Sequence, residues 1–125
     1  MNYFAHGFRF LDRPWFLAGT AVPDWLSVAD RKVRMRASRV EPVADGSGTP
    51  AAELAAGVLQ HLEDDRRFHE SPAFFETMGE LGRRFRALLG PEDGFRPGFL
   101  GHIATELLLD GVLIERFPRE LDEYY

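Results

Sequence analysis

No cysteine occurs among the 125 residues. That excludes disulfides, thiolate zinc sites and cysteine nucleophiles, and leaves only nitrogen and oxygen ligands for any metal. It also fits a reducing compartment. The opening MNYFAHGFRF lacks the charged-then-apolar layout of a signal peptide. No apolar run approaches the roughly 20 residues of a membrane helix. The expectation is therefore a cytoplasmic protein with no membrane partner. An excess of positive charge is missing as well: the formal net charge is −5 and no DNA-reading motif occurs, so a nucleic-acid partner is not expected. Neither an internal repeat nor a low-complexity tract is visible. What is present, 45% hydrophobic residues including eleven Phe, suffices for the core of one domain of this length.

Prolines punctuate the chain in a helical manner. Asp12 and Pro14 read as an N-cap and first-turn proline opening the short segment PWFLAGTAV, and Pro23 opens another at DWLSVADR. Residues 40–50, VEPVADGSGTP, read as a loop. Thr49 and Pro50 then begin a long helix over 50–69; Ser71 and Pro72 begin one over 72–89, closed by Gly90 and Pro91. A further helix spans 97–116, and Pro118 starts a last turn. Only RKVRMRASRV, 31–40, alternates with period two as a strand would. The fold class expected is all-α: one helical domain over 1–125, a bundle with a metal site between core helices.

The chain has four histidines. His61 is followed at i+4 by Asp65 and at i+8 by His69, so on a helix the three project within about 80° of arc. His102 is followed in the same way by Glu106 and Asp110. A helical His-x-x-x-carboxylate pair offers a neutral imidazole and an anionic oxygen to one point in space. Two such pairs, with His6 and Asp24 from elsewhere, predict a one- or two-metal centre.

A helical wheel puts Leu54, Val58, His61, Asp65 and Phe68 in one stripe and Glu63, Arg67 and Glu70 opposite, so His61 and Asp65 point where the apolar residues point. Apolar residues surround the 97–116 helix, predicting a mostly buried central helix on which His102 and Glu106 share a face with Phe99, Leu109 and Leu113. A buried unpaired carboxylate costs several kcal/mol, so Asp65 and Glu106 need partners, and a bridging cation supplies one. The plainer alternative is that helical His and Glu at i+4 hydrogen-bond each other and merely complete a core. Asp64 points off the stripe and reads as solvated. Asp110 lies at the margin of its face, between a supporting role and solvent.

The order MNYFAH, LAGTAVPDWL, AGVLQHLEDDRRFHESPAF, FLGHIATELLLDGVLIER resembles the bacterial acyl carrier protein phosphodiesterases, an all-helical, metal-dependent branch related to HD-type phosphohydrolases. In that resemblance His6 takes the family's first histidine, Asp24 its early aspartate, and His61 and Asp65 its His…Asp pair. His69 falls on the next aspartate and Pro72 on the proline. Leu62 and Ser71 replace an arginine and a histidine, and the later Asp-x-x-x-Asp-His becomes His102, Glu106 and Leu107. Family members continue with further helices, so the resemblance implies a shortened or truncated version. FLGHIATELLLD, with AGTAVPDWL upstream, is similar also to the helical zinc-dependent phospholipase C and nuclease group. Both resemblances imply hydrolysis of a phosphate ester.

The expected chemistry is metal-assisted phosphodiester hydrolysis with manganese, iron or zinc. Its ligands are His61, Asp65, His102 and Glu106, helped by His6, Asp24 and His69. Asp24, on a loop or helix start, is a flexible ligand or the base that orients the water, and Asp65 shares the catalytic role. Arg66 and Arg67 flank the site and are the expected substrate-binding residues, or else part of a solvated face. Arg31, Lys32, Arg34, Arg36 and Arg39 are the candidate dock for an acidic partner such as acyl carrier protein, or a solvated edge. Iron-dependent oxygen activation and a non-catalytic interaction module stay open.

Overall fold

A computed structural model describes all residues except Arg31, Pro91, Glu92 and Phe95. Seven α-helices and no strand occur among the described residues: α1 (Tyr3–Gly7), α2 (Pro14–Ala29), α3 (Ala37–Val40), α4 (Pro50–Glu70), α5 (Pro72–Leu88), α6 (Pro97–Arg116) and α7 (Pro118–Tyr124). The all-α reading holds. The start signals behave as their chemistry dictates: the Thr49 hydroxyl accepts from Ala52 N at 3.3 Å and that of Ser71 from Phe74 N at 3.2 Å, each followed by proline, whose missing N–H is no loss in a first turn.

Three expectations are corrected. Pro14 and Pro23 do not open separate segments, because α2 runs unbroken through Pro23, and its cap position is Arg13 rather than Asp12. The 31–40 segment forms no strand where it is described. Its last four residues make the turn of α3, which seats Val40 against Ala55 and Val58 of α4. Arg31 and Pro91, given roles in the basic cluster and the helix stop, lie outside the described residues. Residues 41–49 form the expected loop, with Gly46 and Gly48 at φ 74° and 72°, conformations a side chain would strain.

Two helix pairs make up the body. Along α2 and α4 the backbones touch: a Cβ on Gly19 would overlap the Leu54 carbonyl, and one on Gly57 would overlap that of Phe16. Gly101 does the same for α5 and α6, since a Cβ there would sit 2.6 Å from Met78 O. The single turn of α1 lies against α2, α4, α6 and α7, with Phe4 fully buried and Tyr124 edge-on to it at 5.7 Å. Most of the buried apolar side chains belong to α1–α4: Phe4, Phe16, Ala21, Val40, Ala52, Ala55 and Val58.

Helix α6 is therefore not the buried central helix its composition predicts. Only Gly101 and Thr105 are buried on it, while Phe99, Leu107, Leu108 and Val112 are at least half exposed. Helix α5 covers one face and α1 and α7 touch the helix only locally, so much of its apolar surface stays open. By length and composition α6 is also apolar enough to cross a membrane, against the expectation that no run approaches that size. Its inner face nonetheless carries His102, Glu106 and Asp110.

Candidate metal centre

The i, i+4, i+8 spacing on α4 sends His61, Asp65 and His69 to one side, as expected, but they serve two clusters rather than one. His6, His61 and Asp65 bring ligand atoms within 4.8 Å of one another, and so do His69, His102 and Glu106. Both groups could hold a metal ion. The Met1 amino group lies between them, 2.8 Å from Asp65 Oδ1 and 3.3 Å from Glu106 Oε1. Both carboxylates hold its pKa up against the effect of burial.

Burial dominates the first triad. The His61 Nδ1 stands 2.7 Å from the Thr20 carbonyl. A carbonyl only accepts, so Nδ1 carries the hydrogen and Nε2 presents a lone pair. That lone pair faces Asp24 Oδ1 and Asp65 Oδ2, each at 3.8 Å. The His6 ring stacks on His61 with centroids 3.9 Å apart. His6 is 1% exposed, and neither of its nitrogens makes a hydrogen bond. They face Asp64 Oδ2 at 3.6 Å and Asp65 Oδ1 at 3.4 Å. An unpaired buried imidazole is costly, so the arrangement demands a proton or a metal cation.

The charges respond accordingly. Burial and then the neighbouring His6 lower the His61 pKa, leaving a neutral ring suited to ligation. For His6, burial is outweighed by Asp64 and Asp65, and its pKa is raised. For Asp65, burial is outweighed by His6 and the Met1 ammonium, which hold its carboxyl far below the usual range. Burial raises Asp24. Asp24 sits inside α2, directly after Pro23, so it is a rigidly held partner and not the flexible loop residue expected from the sequence.

Both rings of the second triad are about one-third exposed. His69 Nδ1 donates to the Asp65 carbonyl at 2.8 Å, the last-turn bond of its own helix, and its Nε2 lies 3.3 Å from His102 Nε2. Glu106 Oε1 is 3.1 Å from His102 Nε2 and 3.6 Å from His69 Nε2. Phe74 stands edge-on to both imidazoles. Asp110, left undecided by the sequence, is turned towards α1 with one buried oxygen unpartnered, and burial raises its pKa.

Sequence reasoning missed Asp64. It read as solvated, yet its side chain is 17% exposed, faces His6 and accepts from Gln60 Nε2 at 2.8 Å. Only knowledge of where α1 lands would have found it. The expected substrate-binding arginines are exposed and engaged elsewhere: Arg66 forks onto Glu63 and also binds Glu70, and Arg67 binds Glu63 at 2.6 Å. Arg67 does line a groove of about 400 Å³ together with Met1, Asp64, Phe8, Phe68 and Leu109. No triad residue lines that groove, nor a larger cleft of about 760 Å³ bordered by Phe8, Asp12 and Phe117. Lys32, Arg34, Arg36 and Arg39 are exposed. Comparison with protein-family models, with curated proteins and with solved structures finds no match to this chain.

Proposed function

We propose that the chain is a metal-dependent phosphohydrolase acting on a phosphodiester, with one manganese, iron or zinc ion held by His6, His61 and Asp65. The observation that carries this reading is the fully buried His6, both ring nitrogens unpaired, stacked on a His61 whose lone pair is aimed at two carboxylates. A divalent ion bound there supplies Lewis acidity, bringing the pKa of a coordinated water towards neutrality and offsetting charge on the phosphoryl oxygens. Asp24, its pKa raised by burial, stands just outside the ligand set as the group that accepts a proton from the attacking water. Arg67, at the groove that Asp64 also lines, contacts the phosphate once Glu63 releases it. The apolar residues of that groove receive the ester's organic group.

The motif order resembling the acyl carrier protein phosphodiesterases supports the same chemistry and makes holo-acyl carrier protein the candidate macromolecular substrate. The exposed Lys32, Arg34, Arg36 and Arg39 would dock its acidic surface. Bis-p-nitrophenyl phosphate should be hydrolysed when manganese, iron or zinc is supplied, and not in the presence of chelator. If metal-loaded protein cleaves neither this ester nor the prosthetic group of holo-acyl carrier protein, the hydrolase reading fails. One observation favours a second reading. Each triad is two histidines and one carboxylate, the set by which non-haem iron activates oxygen, and oxygen consumption by iron-loaded protein tests it.

A further inference from the structure

We propose that His69, His102 and Glu106 form a second metal site, which loads independently of the first and clasps the α5–α6 pair to the α2–α4 pair. The proposal needs no substrate and stands whether or not the phosphohydrolase reading does.

Ligand geometry is the first argument. Three atoms bound to one zinc-like ion at about 2.1 Å in tetrahedral directions lie about 3.4 Å from one another. In the second triad the three separations are 3.1, 3.3 and 3.6 Å. The three atoms are spaced as the ligands of one ion would be, and both rings are about one-third exposed.

Proton counting is the second argument. His69 Nε2 is a lone pair because Nδ1 donates to the Asp65 carbonyl. Glu106 Oε1 is an acceptor. Glu106 Oε1 already accepts from the Met1 amino group at 3.3 Å, and a neutral His102 has at most one hydrogen on Nε2, so without an ion His69 Nε2 and Glu106 Oε1 present lone pairs to each other at 3.6 Å. An ion at the centre takes all three lone pairs at once, and Phe74 stands edge-on to both rings at 4.8 and 5.1 Å.

The position of the triad gives the clasp. His69 belongs to the last turn of α4, and His102 and Glu106 to α6. Among the described residues no Cα of α4 comes within 8 Å of one in α6, and α2 is as remote from α5 and α6. The two pairs meet instead through the Ser71–Pro72 turn, through α1, through the Met1 amino group shared by Asp65 and Glu106, and through these side chains. A metal bond here is a cross-link at a seam with little backbone packing.

The test is zinc titration of chelator-stripped protein against a chromogenic chelator, with cobalt as a spectroscopic probe and amide hydrogen exchange over 97–116 as the readout of clasping. Wild type should take two equivalents of zinc. His61→Ala and His102→Ala should each take one, with distinct cobalt visible spectra for the site that remains. Zinc should slow exchange in α6 of wild type and of His61→Ala, but not of His102→Ala. Should His102→Ala fail to fold, Glu106→Gln, which keeps the side-chain volume, takes its place and should likewise take one equivalent. A wild type that binds a single equivalent, lost in His61→Ala and kept in His102→Ala, overturns the proposal while leaving the first site intact. Two equivalents with unchanged exchange in α6 also overturn it, because the clasp would be absent.

Discussion

The two triads have the same composition, two imidazoles and a carboxylate, yet they are built differently. The first joins α1 to α4 beside the close α2–α4 contact, and its rings are 0% and 3% exposed. The second spans α4 and α6, whose Cα atoms stay more than 8 Å apart among the described residues, with rings 31% and 35% exposed. Water can satisfy part of the second set when no ion is bound. Nothing but a proton or a cation can satisfy the first. Burial thus makes the same side-chain chemistry costlier when it lacks a proton or a cation.

Substitutions can break this comparison, and the largest effect should come from glycine. Gly57→Ala forces α4 off α2 and should cost on the order of 3 kcal/mol, the upper part of the usual overpacking range. It should also abolish metal binding at the first triad, which Gly101→Ala, acting between α5 and α6, should leave in place. Urea denaturation and metal content check both. Next comes His61→Ala. It leaves the Thr20 carbonyl and the His6 ring without their partner and should cost about 2 kcal/mol. Hydrolysis should fall about a hundredfold or more, since even groups behind a ligand are worth up to that much. His102→Ala, in a wetter place, should cost less stability than His61→Ala, and the reverse order would undo the distinction drawn from burial.

A smaller effect separates the two rings of the first triad by pH. In metal-free protein the folded pKa of His6 is raised above its usual 6.5, so its contribution to stability is fully present below that value and is lost as pH rises through the folded pKa. His61, lowered from 6.5, acts in the opposite sense, its contribution being present above that value and lost as pH falls. His6→Asn should therefore lose less stability than wild type as pH rises from about 6.5 through the folded pKa of His6, measured by urea midpoints without metal. The smallest effect is that of Glu63→Ala. Glu63 lies on the outer face of α4 with its pKa held down to about 2 by Arg66 and Arg67. Neither melting temperature nor the metal content of either triad should change.

Much of the fold was legible because its signals are local. A hydroxyl cap followed by proline marks the starts of α4 and α5, and 3.6-residue periodicity fixes the phase by which His61, Asp65 and His69 share a side of α4. What could not be read depends on how helices meet. Pro23 is tolerated inside α2 because packing against α4 holds the helix together around one missing hydrogen bond, a tertiary effect that overrides a local stop signal. The apolar wheel of α6 looked like burial on all sides, but only contact with another helix buries anything, and α5 covers just one face. The division of four histidines between two clusters follows from α1 crossing α4 near residues 61–65 while the His102 and Glu106 side chains of α6 reach the end of α4 at His69. No spacing within a single helix encodes that crossing.

Where α2 and α4 touch at Gly19 and Gly57, their separation is set by atoms that have no rotamers to change. Asp24 and the Thr20 carbonyl are fixed to one side of that contact, His61 and Asp65 to the other. The separation of the two backbones that carry these groups is therefore fixed, while His6 arrives separately on α1. Calcium, which takes six to eight oxygens at about 2.3–2.6 Å, asks for atoms that a group with two imidazoles does not offer. Two residues without side chains set the spacing between Thr20 and Asp24 on one helix and His61 and Asp65 on the other.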